Sequence, residues 1–148
     1  MHYDIKLLPT DDLDPFVELL HVFEKVFELK KAPLPSRKHL LHVMKSPGFF
    51  CMVAISDQKV IGGLTAYTFE QYHSTQPIAY IYDLAVLAAY QRKGIGSSLI
   101  NAFNDHCKSL GYQEVFVQAD KDEPHAVEFY RHTPITEEEK VAHFYYRL

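Results

Sequence analysis

The sequence has no tryptophan, only two cysteines and six glycines among 148 residues, and no excess of positive charge. Each shortage removes a class of protein. Cys51 and Cys107 form no CxxC pair and no spaced framework, which excludes a disulfide scaffold and leads to free thiols in a reducing cytoplasm. Fifteen Lys and Arg against nineteen Asp and Glu give a formal charge of −4, the wrong sign for a nucleic-acid face. A mild negative charge suits a small cationic partner better. No apolar run approaches the roughly 18 to 20 residues of a membrane span. The N-terminal MHYDIKLLPT lacks the basic start and long apolar core of a secretion signal, so a cytoplasmic chain without membrane or nucleic-acid partners is expected. Nine histidines, His125 and His132 among them, come with no compact ligand set, so no metal is expected.

What is present is apolar and aromatic. With 47% hydrophobic residues and no repeat, low-complexity tract or composition break, the chain reads as a single domain over 1–148. YDIKLLP alternates like a strand and stops at Pro9. Asp14 is then placed to cap PFVELLHVFEKVF, with Pro15 at the first helical position and Phe16, Leu19, Leu20, Phe23, Val26 and Phe27 at helical spacing. KKAPLP breaks the pattern, and Ser36 caps a second helix ending near Pro47 and Gly48. FFCMVAIS and KVIGGLTAYTF, joined by Asp57 and Gln58, read as a hairpin. IAYIYDLAV is apolar almost throughout, like a strand covered on both faces. IGSSLINAFNDHCKSLG puts Ile95, Leu99, Ile100, Phe103, Cys107 and Leu110 on one helical face, with Gly111 as the stop. YQEVFVQAD reads as a strand, PHAVEFYRH as a short helix and KVAHFYYRL as a closing strand. The predicted fold is a mixed α/β domain with one central sheet.

The most informative stretch is Gln91-Arg92-Lys93-Gly94-Ile95-Gly96, followed by Ser97, Ser98 and Leu99. A P-loop needs Lys before Ser or Thr after its last glycine, and a dinucleotide fingerprint needs a small residue where Leu99 stands. Neither fits. The pattern Q/R-x-x-G-x-G/A does fit: glycine lets the backbone approach an anion, amides at a helix start point at its oxygens, and the helix dipole adds about half a positive charge. Arg92 and Lys93 add further positive charge. These residues resemble the GNAT superfamily of N-acetyltransferases, whose members hold acetyl-coenzyme A in this way.

Within that superfamily the chain resembles the small aminoglycoside 3-N-acetyltransferases of the gentamicin and fortimicin type. The runs that carry the likeness are YIYDLAV, QRKGIGSSLIN, VFVQAD with its acidic turn, AVEFY and a late HF. The resemblance implies a GNAT fold, a mixed sheet with splayed parallel strands and flanking helices. It also implies acetyl-coenzyme A as cosubstrate, bound by Gln91, Arg92, Lys93, Gly94, Ile95, Gly96 and Ser97 and by the backbone of Leu84, Ala85 and Val86. Tyr130 is implied as the acid that protonates the leaving thiolate. Two departures bear on the acceptor: Lys121 interrupts the acidic turn, and RHTPITEEEK follows Tyr130 where the family has a Leu-Gly-like step.

Acetyl transfer to an amine needs a group that holds the ammonium and takes its proton. Asp83, a carboxylate in an otherwise apolar strand, is the leading candidate, because burial there raises its pKa toward a useful range. Asp120, Asp122 and Glu123 follow a strand end and are read either as further negative wall of an acceptor pocket or, for Asp122 and Glu123, as caps of the next helix. Glu137, Glu138 and Glu139 read as a solvated turn. Cys51 and Cys107 read as small buried hydrophobes, so direct transfer is expected rather than an acetyl-cysteine. The expected function is acetyl-coenzyme A-dependent N-acetylation of a small cationic amine, an aminoglycoside first and a polyamine next. A protein N-terminus or lysine, or a coenzyme A-binding sensor without turnover, are the alternatives. The aromatic tail HFYYRL serves either a homodimer interface or a core strand.

Overall fold

The computed structural model describes residues 1–29 and 33–148, so the first three residues of the KKAPLP breaker lie outside it. The chain clusters into two compact units, Met1–Gln118 and Ala119–Leu148.

The first unit contains β1 (Asp4–Leu7), α1 (Leu13–Val26), α2 (Arg37–Lys45), β2 (Phe49–Ser56), β3 (Lys59–Phe69), β4 (Ile78–Val86), a 3-10 turn (Ala88–Tyr90), α3 (Ile95–Ser109) and β5 (Glu114–Val117). The five strands form one sheet in sequence order. Neighbouring strands are antiparallel except β4 and β5, which run parallel. Among the described residues no helix is long and apolar enough to cross a membrane.

Local chemistry explains most boundaries. The Ser36 hydroxyl accepts from the His39 amide and caps α2. Asp57 and Gln58 both take positive φ, 49° and 63°, the geometry of a two-residue hairpin turn. Helix α1 begins at Leu13, earlier than the sequence suggested, so Asp12 rather than Asp14 is its N-cap and Pro15 is the third helical residue. Proline is tolerated there because first-turn amides have no intrahelical acceptor. Gly111, at φ +82°, follows the end of α3 and stops it as expected.

Apolar side chains fill both faces of the sheet. On one, Phe16, Leu19, Val22 and Phe23 of α1 and Leu40 and Met44 of α2 share a core with Cys51, Val53, Val60, Ala85 and Leu87. Gly63 fixes the approach of α1: a Cβ there would lie 2.5 Å from the Met52 carbonyl oxygen and 2.8 Å from a Leu19 methyl. Helix α3 buries Ile95, Leu99, Ile100, Phe103 and Cys107. The Phe103 ring packs edge-on against Phe50 of β2 at 5.5 Å. Leu110, expected on that buried face, is exposed because the helix has ended by then.

The second unit contains one regular element, α4 (Pro124–Arg131), with Pro124 in its first turn. KVAHFYYRL is not a strand of the sheet. Its composition suits a strand, but a strand exists only with a partner, and none pairs with it among the described residues. Glu138 is no free turn carboxylate: Arg131 grips it through Nε at 2.9 Å and a terminal nitrogen at 2.8 Å.

Candidate active site

Strand β4 changes character halfway along. From Ile78 to Ile81 it pairs with Glu114–Val117 of β5, and beyond Ile81 that pairing ends while β4 continues to Val86. The stretch Tyr82–Val86 therefore keeps β3 on one side and has no β5 partner on the other. Leu84, Ala85 and Val86 lie on this open stretch, where the side away from β3 has no strand partner among the described residues and the Val86 carbonyl is taken by a side chain instead.

A β-bulge sits at the same place. Thr65 faces Asp83 and Ala66 faces Ile81, so Tyr82 is an extra residue in β4. Strand residues normally alternate between faces. Here Tyr82 and Asp83, though adjacent in sequence, line the same cavity, together with Leu20, Phe23, Glu24, Phe27, Leu29 and Leu34. The cavity measures about 450 Å³. Its wall is apolar apart from the Tyr82 hydroxyl and two carboxylates, Asp83 and Glu24. Burial holds the Asp83 carboxyl above its ordinary range. The Tyr67 phenol is raised as well, by burial first and then by Tyr82 and Asp83 nearby. β4 was expected to be covered on both faces, yet Tyr82 is exposed, because the bulge lifts it out of the ladder at the cavity rim.

Glu24 was not singled out by sequence reasoning. The signal was available: at helical spacing from Leu20 and Phe27 it is a carboxylate beside the apolar row of α1. Its Oε1 lies 2.9 Å from His21 Nδ1. Glu18 of the same helix is structural by contrast, its Oε2 accepting from the Val60 amide at 2.9 Å.

The glycine turn forms the start of α3. Gln91 donates from Nε2 to the Val86 carbonyl at 2.8 Å, which ties the turn to the end of β4. Arg92 and Gly94 take positive φ, 60° and 81°. Gly94 is the N-cap, no side chain caps the helix, and no acidic residue stands in its first turn. A Cβ on Gly94 would meet nothing within 4 Å, so the turn stands clear of other protein atoms at that point, and the amides of Ile95, Gly96 and Ser97 open the helix just after it. Arg92 and Lys93 are exposed beside it, while Ile95 is buried and anchors the turn. Ser98 shares a 2.8 Å hydrogen bond with the Tyr3 hydroxyl. This donor set fits a pyrophosphate: open amides, a helix start and two free-standing cations.

The remaining candidates lie in the second unit. Asp120 Oδ1 accepts from the Asp122 amide at 2.9 Å and its carbonyl accepts from Glu123 at 2.9 Å, forming a tight acidic turn. Glu123 occupies the N-cap position of α4, but its side chain makes no capping bond, so its charge is not used by the helix. Asp120, Lys121, Asp122 and Glu123 are all exposed. Tyr130 is half-buried on α4, its ring 5.0 Å from Phe129, and its carbonyl accepts from the Thr133 amide and hydroxyl. Cys51 and Cys107 are buried in the first unit, and burial pushes both thiols up, Cys107 to about 11. Both stay protonated at neutral pH and are poor nucleophiles.

Comparison with known proteins agrees with this geometry. The chain superposes with a TM-score of 0.97 on the crystal structure of an aminoglycoside acetyltransferase, meta-AAC0020, from an uncultured soil metagenomic sample in complex with sisomicin, at 46% identity over 99% of this chain and 96% of that one. A second aminoglycoside acetyltransferase, HMB0005, also from an uncultured soil metagenomic sample, matches at TM-score 0.93 and 27% identity over 100% and 99% of the two chains. The fold also recurs, at TM-score 0.79 and 18% identity over the full length of both chains, in AAC(6')-Iy crystallised with a coenzyme A–acetylneamine bisubstrate analogue. No match is found among curated protein sequences. Residues 15–133 match the Acetyltransferase (GNAT) family model, a span that takes in the cavity strand, the glycine turn and α4. The chain belongs to the GNAT family of acetyltransferases.

Proposed function

We propose that this chain transfers an acetyl group from acetyl-coenzyme A directly to the 3-amino group of an aminoglycoside, as one catalytic domain over residues 1–148 acting in the cytoplasm. The observation that carries this reading is Asp83, turned by a bulge into an apolar cavity at the point where β4 leaves β5. Two carboxylates, Asp83 and Glu24, set in an apolar wall suit a compact polycation. The aminoglycoside class is supported by the 46%-identical relative crystallised with sisomicin.

When bound, acetyl-coenzyme A supplies the activated acyl group as a thioester. The Ile95, Gly96 and Ser97 amides hold its pyrophosphate, with Arg92 and Lys93 neutralising charge and Gln91 keeping the turn in place. Leu84, Ala85 and Val86 act through their backbone, lining the pantetheine arm and donating one N–H to the thioester oxygen as charge develops there. Asp83, with Glu24 across the cavity, holds the substrate ammonium, and Asp83 takes its proton directly or through a water. Tyr130 returns a proton from its hydroxyl to the departing thiolate. Asp120, Asp122 and Glu123 add negative charge that draws in a polycation. The buried, protonated thiols of Cys51 and Cys107 are poor acyl carriers, which supports direct transfer over an acetyl-cysteine.

The test is release of free thiol from acetyl-coenzyme A with gentamicin, sisomicin, spermidine and a short peptide, followed by NMR of the product. Turnover with the aminoglycosides and acetyl on the 3-amino nitrogen are expected. Turnover with spermidine or peptide alone, or coenzyme binding without any turnover, would overturn the substrate; acetyl on another nitrogen would overturn the position.

A further inference from the structure

Helix α3 is tied to the sheet near both of its ends by the same kind of bond. Near its start, the Tyr3 hydroxyl meets the Ser98 hydroxyl at 2.8 Å, across a separation of 95 residues in the chain. Just past its end, the Tyr112 hydroxyl meets the Thr68 hydroxyl of β3, also at 2.8 Å. All four residues are half-buried. What differs is the setting. Tyr112 follows the Gly111 stop, whereas Ser98 lies in the first turn of the helix, next to Ser97 and the glycine turn.

That first turn has few other supports. Arg92 and Gly94 before it hold positive φ, a conformation that arginine adopts at a cost. Among the described residues no side chain caps the helix and no acidic residue stands in its first turn. The amides of Ile95, Gly96 and Ser97 have no intrahelical acceptor, and the ladder begins with the Ser98 amide on the Gly94 carbonyl at 3.0 Å. Gln91 fastens the turn to the Val86 carbonyl, and the buried Ile95 and Leu99 fasten the helix to the core. Tyr3 adds a third point of attachment, from the opposite edge of the sheet. It is itself well held: the Ser56 hydroxyl donates to the His2 carbonyl at 2.8 Å and Asp4 pairs with Ile55, so the residues on either side of Tyr3 are fixed to the β2–β3 hairpin. A phenol on two side-chain torsions then carries that position to Ser98 with little slack.

We propose that Tyr3 is a positioning residue for the coenzyme turn: through Ser98 it fixes the rotation of α3 about its own axis, and with it the direction in which the Ile95, Gly96 and Ser97 amides face a pyrophosphate. Three separated attachments set the orientation of a rigid helix start, and two leave it free to rock about the line that joins them. The inference rests on reading the glycine turn as the acetyl-coenzyme A site. It goes beyond that reading because Tyr3 precedes β1, at the other side of the sheet from β5, and belongs to no part of the glycine motif.

The test compares Tyr3→Phe with Tyr112→Phe, each of which removes one hydroxyl from one end of α3. By calorimetry the dissociation constant for coenzyme A should rise about three- to tenfold in Tyr3→Phe, the affinity counterpart of one hydrogen bond, and keep its wild-type value in Tyr112→Phe. KM for acetyl-coenzyme A should rise with it, while kcat and KM for the aminoglycoside stay unchanged. In the chain without any ligand, hydrogen exchange of the Ser98 amide should quicken in Tyr3→Phe and not in Tyr112→Phe. Ser98→Ala should weaken coenzyme binding as much as Tyr3→Phe does, and the two together should do no more than either alone. Equal weakening by both tyrosine variants overturns the proposal, because a general loss of stability would explain it. Unchanged affinity in Tyr3→Phe, or losses that add in the double variant, overturn it too. Weaker binding with unchanged Ser98 exchange makes the Tyr3 hydroxyl a ligand instead of a support, and overturns it as well. A wild-type chain that binds no coenzyme A overturns the cofactor reading and this inference with it, a pattern distinct from a loss confined to Tyr3→Phe or its absence there.

Discussion

The two halves of β4 are one strand put to two uses. From Ile78 to Ile81 it is clamped between β3 and β5, with Ala79 and Ile81 buried and Tyr80 stacked on Phe116. From Tyr82 to Val86 it keeps only β3, carries the bulge and exposes an aspartate to a cavity. The first half contributes stability. The second gives up part of its pairing, and the backbone groups and carboxylate left over are those that acetyl transfer needs.

The sharpest way to test this division is Asp83→Asn. Turnover should fall about 10² to 10⁴-fold, the usual contribution of a positioned acid or base, while coenzyme A affinity by calorimetry stays the same. Thermal stability at pH 7 should hold or rise. Burial raises the folded-state pKa of Asp83, so the folded protein binds more protons than the unfolded chain between the ordinary aspartate value and the raised one. Stability therefore falls as pH rises through that window, and asparagine removes the cost. A drop in melting temperature matching the lost activity would make Asp83 structural and erase the contrast.

In the clamped half, Ile81→Ala should act in reverse. Ile81 is 2% exposed, and such truncations cost about 2 to 5 kcal/mol, read by urea denaturation, with kcat/KM of the folded fraction changing less than about threefold. Next in size is Gly94→Ala at the turn tied to the end of β4. Left-handed φ at a non-glycine costs about 1 to 2 kcal/mol, and KM for acetyl-coenzyme A should rise about tenfold, because alanine disfavours the left-handed N-cap that sets the start of α3, while its methyl touches no protein atom. The smallest effect is the pH profile. The acidic limb of kcat/KM should lie above the ordinary aspartate range, since only the ionised Asp83 takes a proton, and Glu24→Gln should move that limb down by less than one unit.

The contrast also explains what could be read from the sequence. Features set by neighbouring residues were legible: the Ser36 cap, the Asp57-Gln58 turn, the Gly111 stop and the Gln91–Gly96 turn each depend on a few adjacent groups. Asp83 stood out because a charge in an apolar strand is costly without a purpose. The start of α1 was misjudged because Pro15 marks a first turn without fixing which residue of it. Tyr82 gives no local sign of a bulge, since the extra residue exists only relative to β3. Glu24 was overlooked because the apolar face of α1 looked like core along its whole length, whereas its last turns line a cavity. The tail failed as a strand for the same reason: composition describes a strand, but only a partner makes one.

The bulge at Tyr82 has a consequence for how this sequence can change. Before it, even-numbered residues of β4 such as Tyr80 share the face of the Tyr67 ring; after it, odd-numbered residues such as Asp83, Ala85 and Leu87 look toward α1. The strand carries a frameshift in space that no codon records. Deleting Tyr82 would give β3 and β4 an unbroken ladder in which Ile81 still faces Ala66 and Asp83 still faces Thr65, so both segments keep their register, the carboxylate keeps its face, and the cavity loses only the tyrosine at its rim. A residue lost at the bulge is thus absorbed, whereas one lost from within either flanking segment shifts its neighbours against β3 and turns them to the other face. The bulge is the one place where this strand can change its length without changing what it presents on either side.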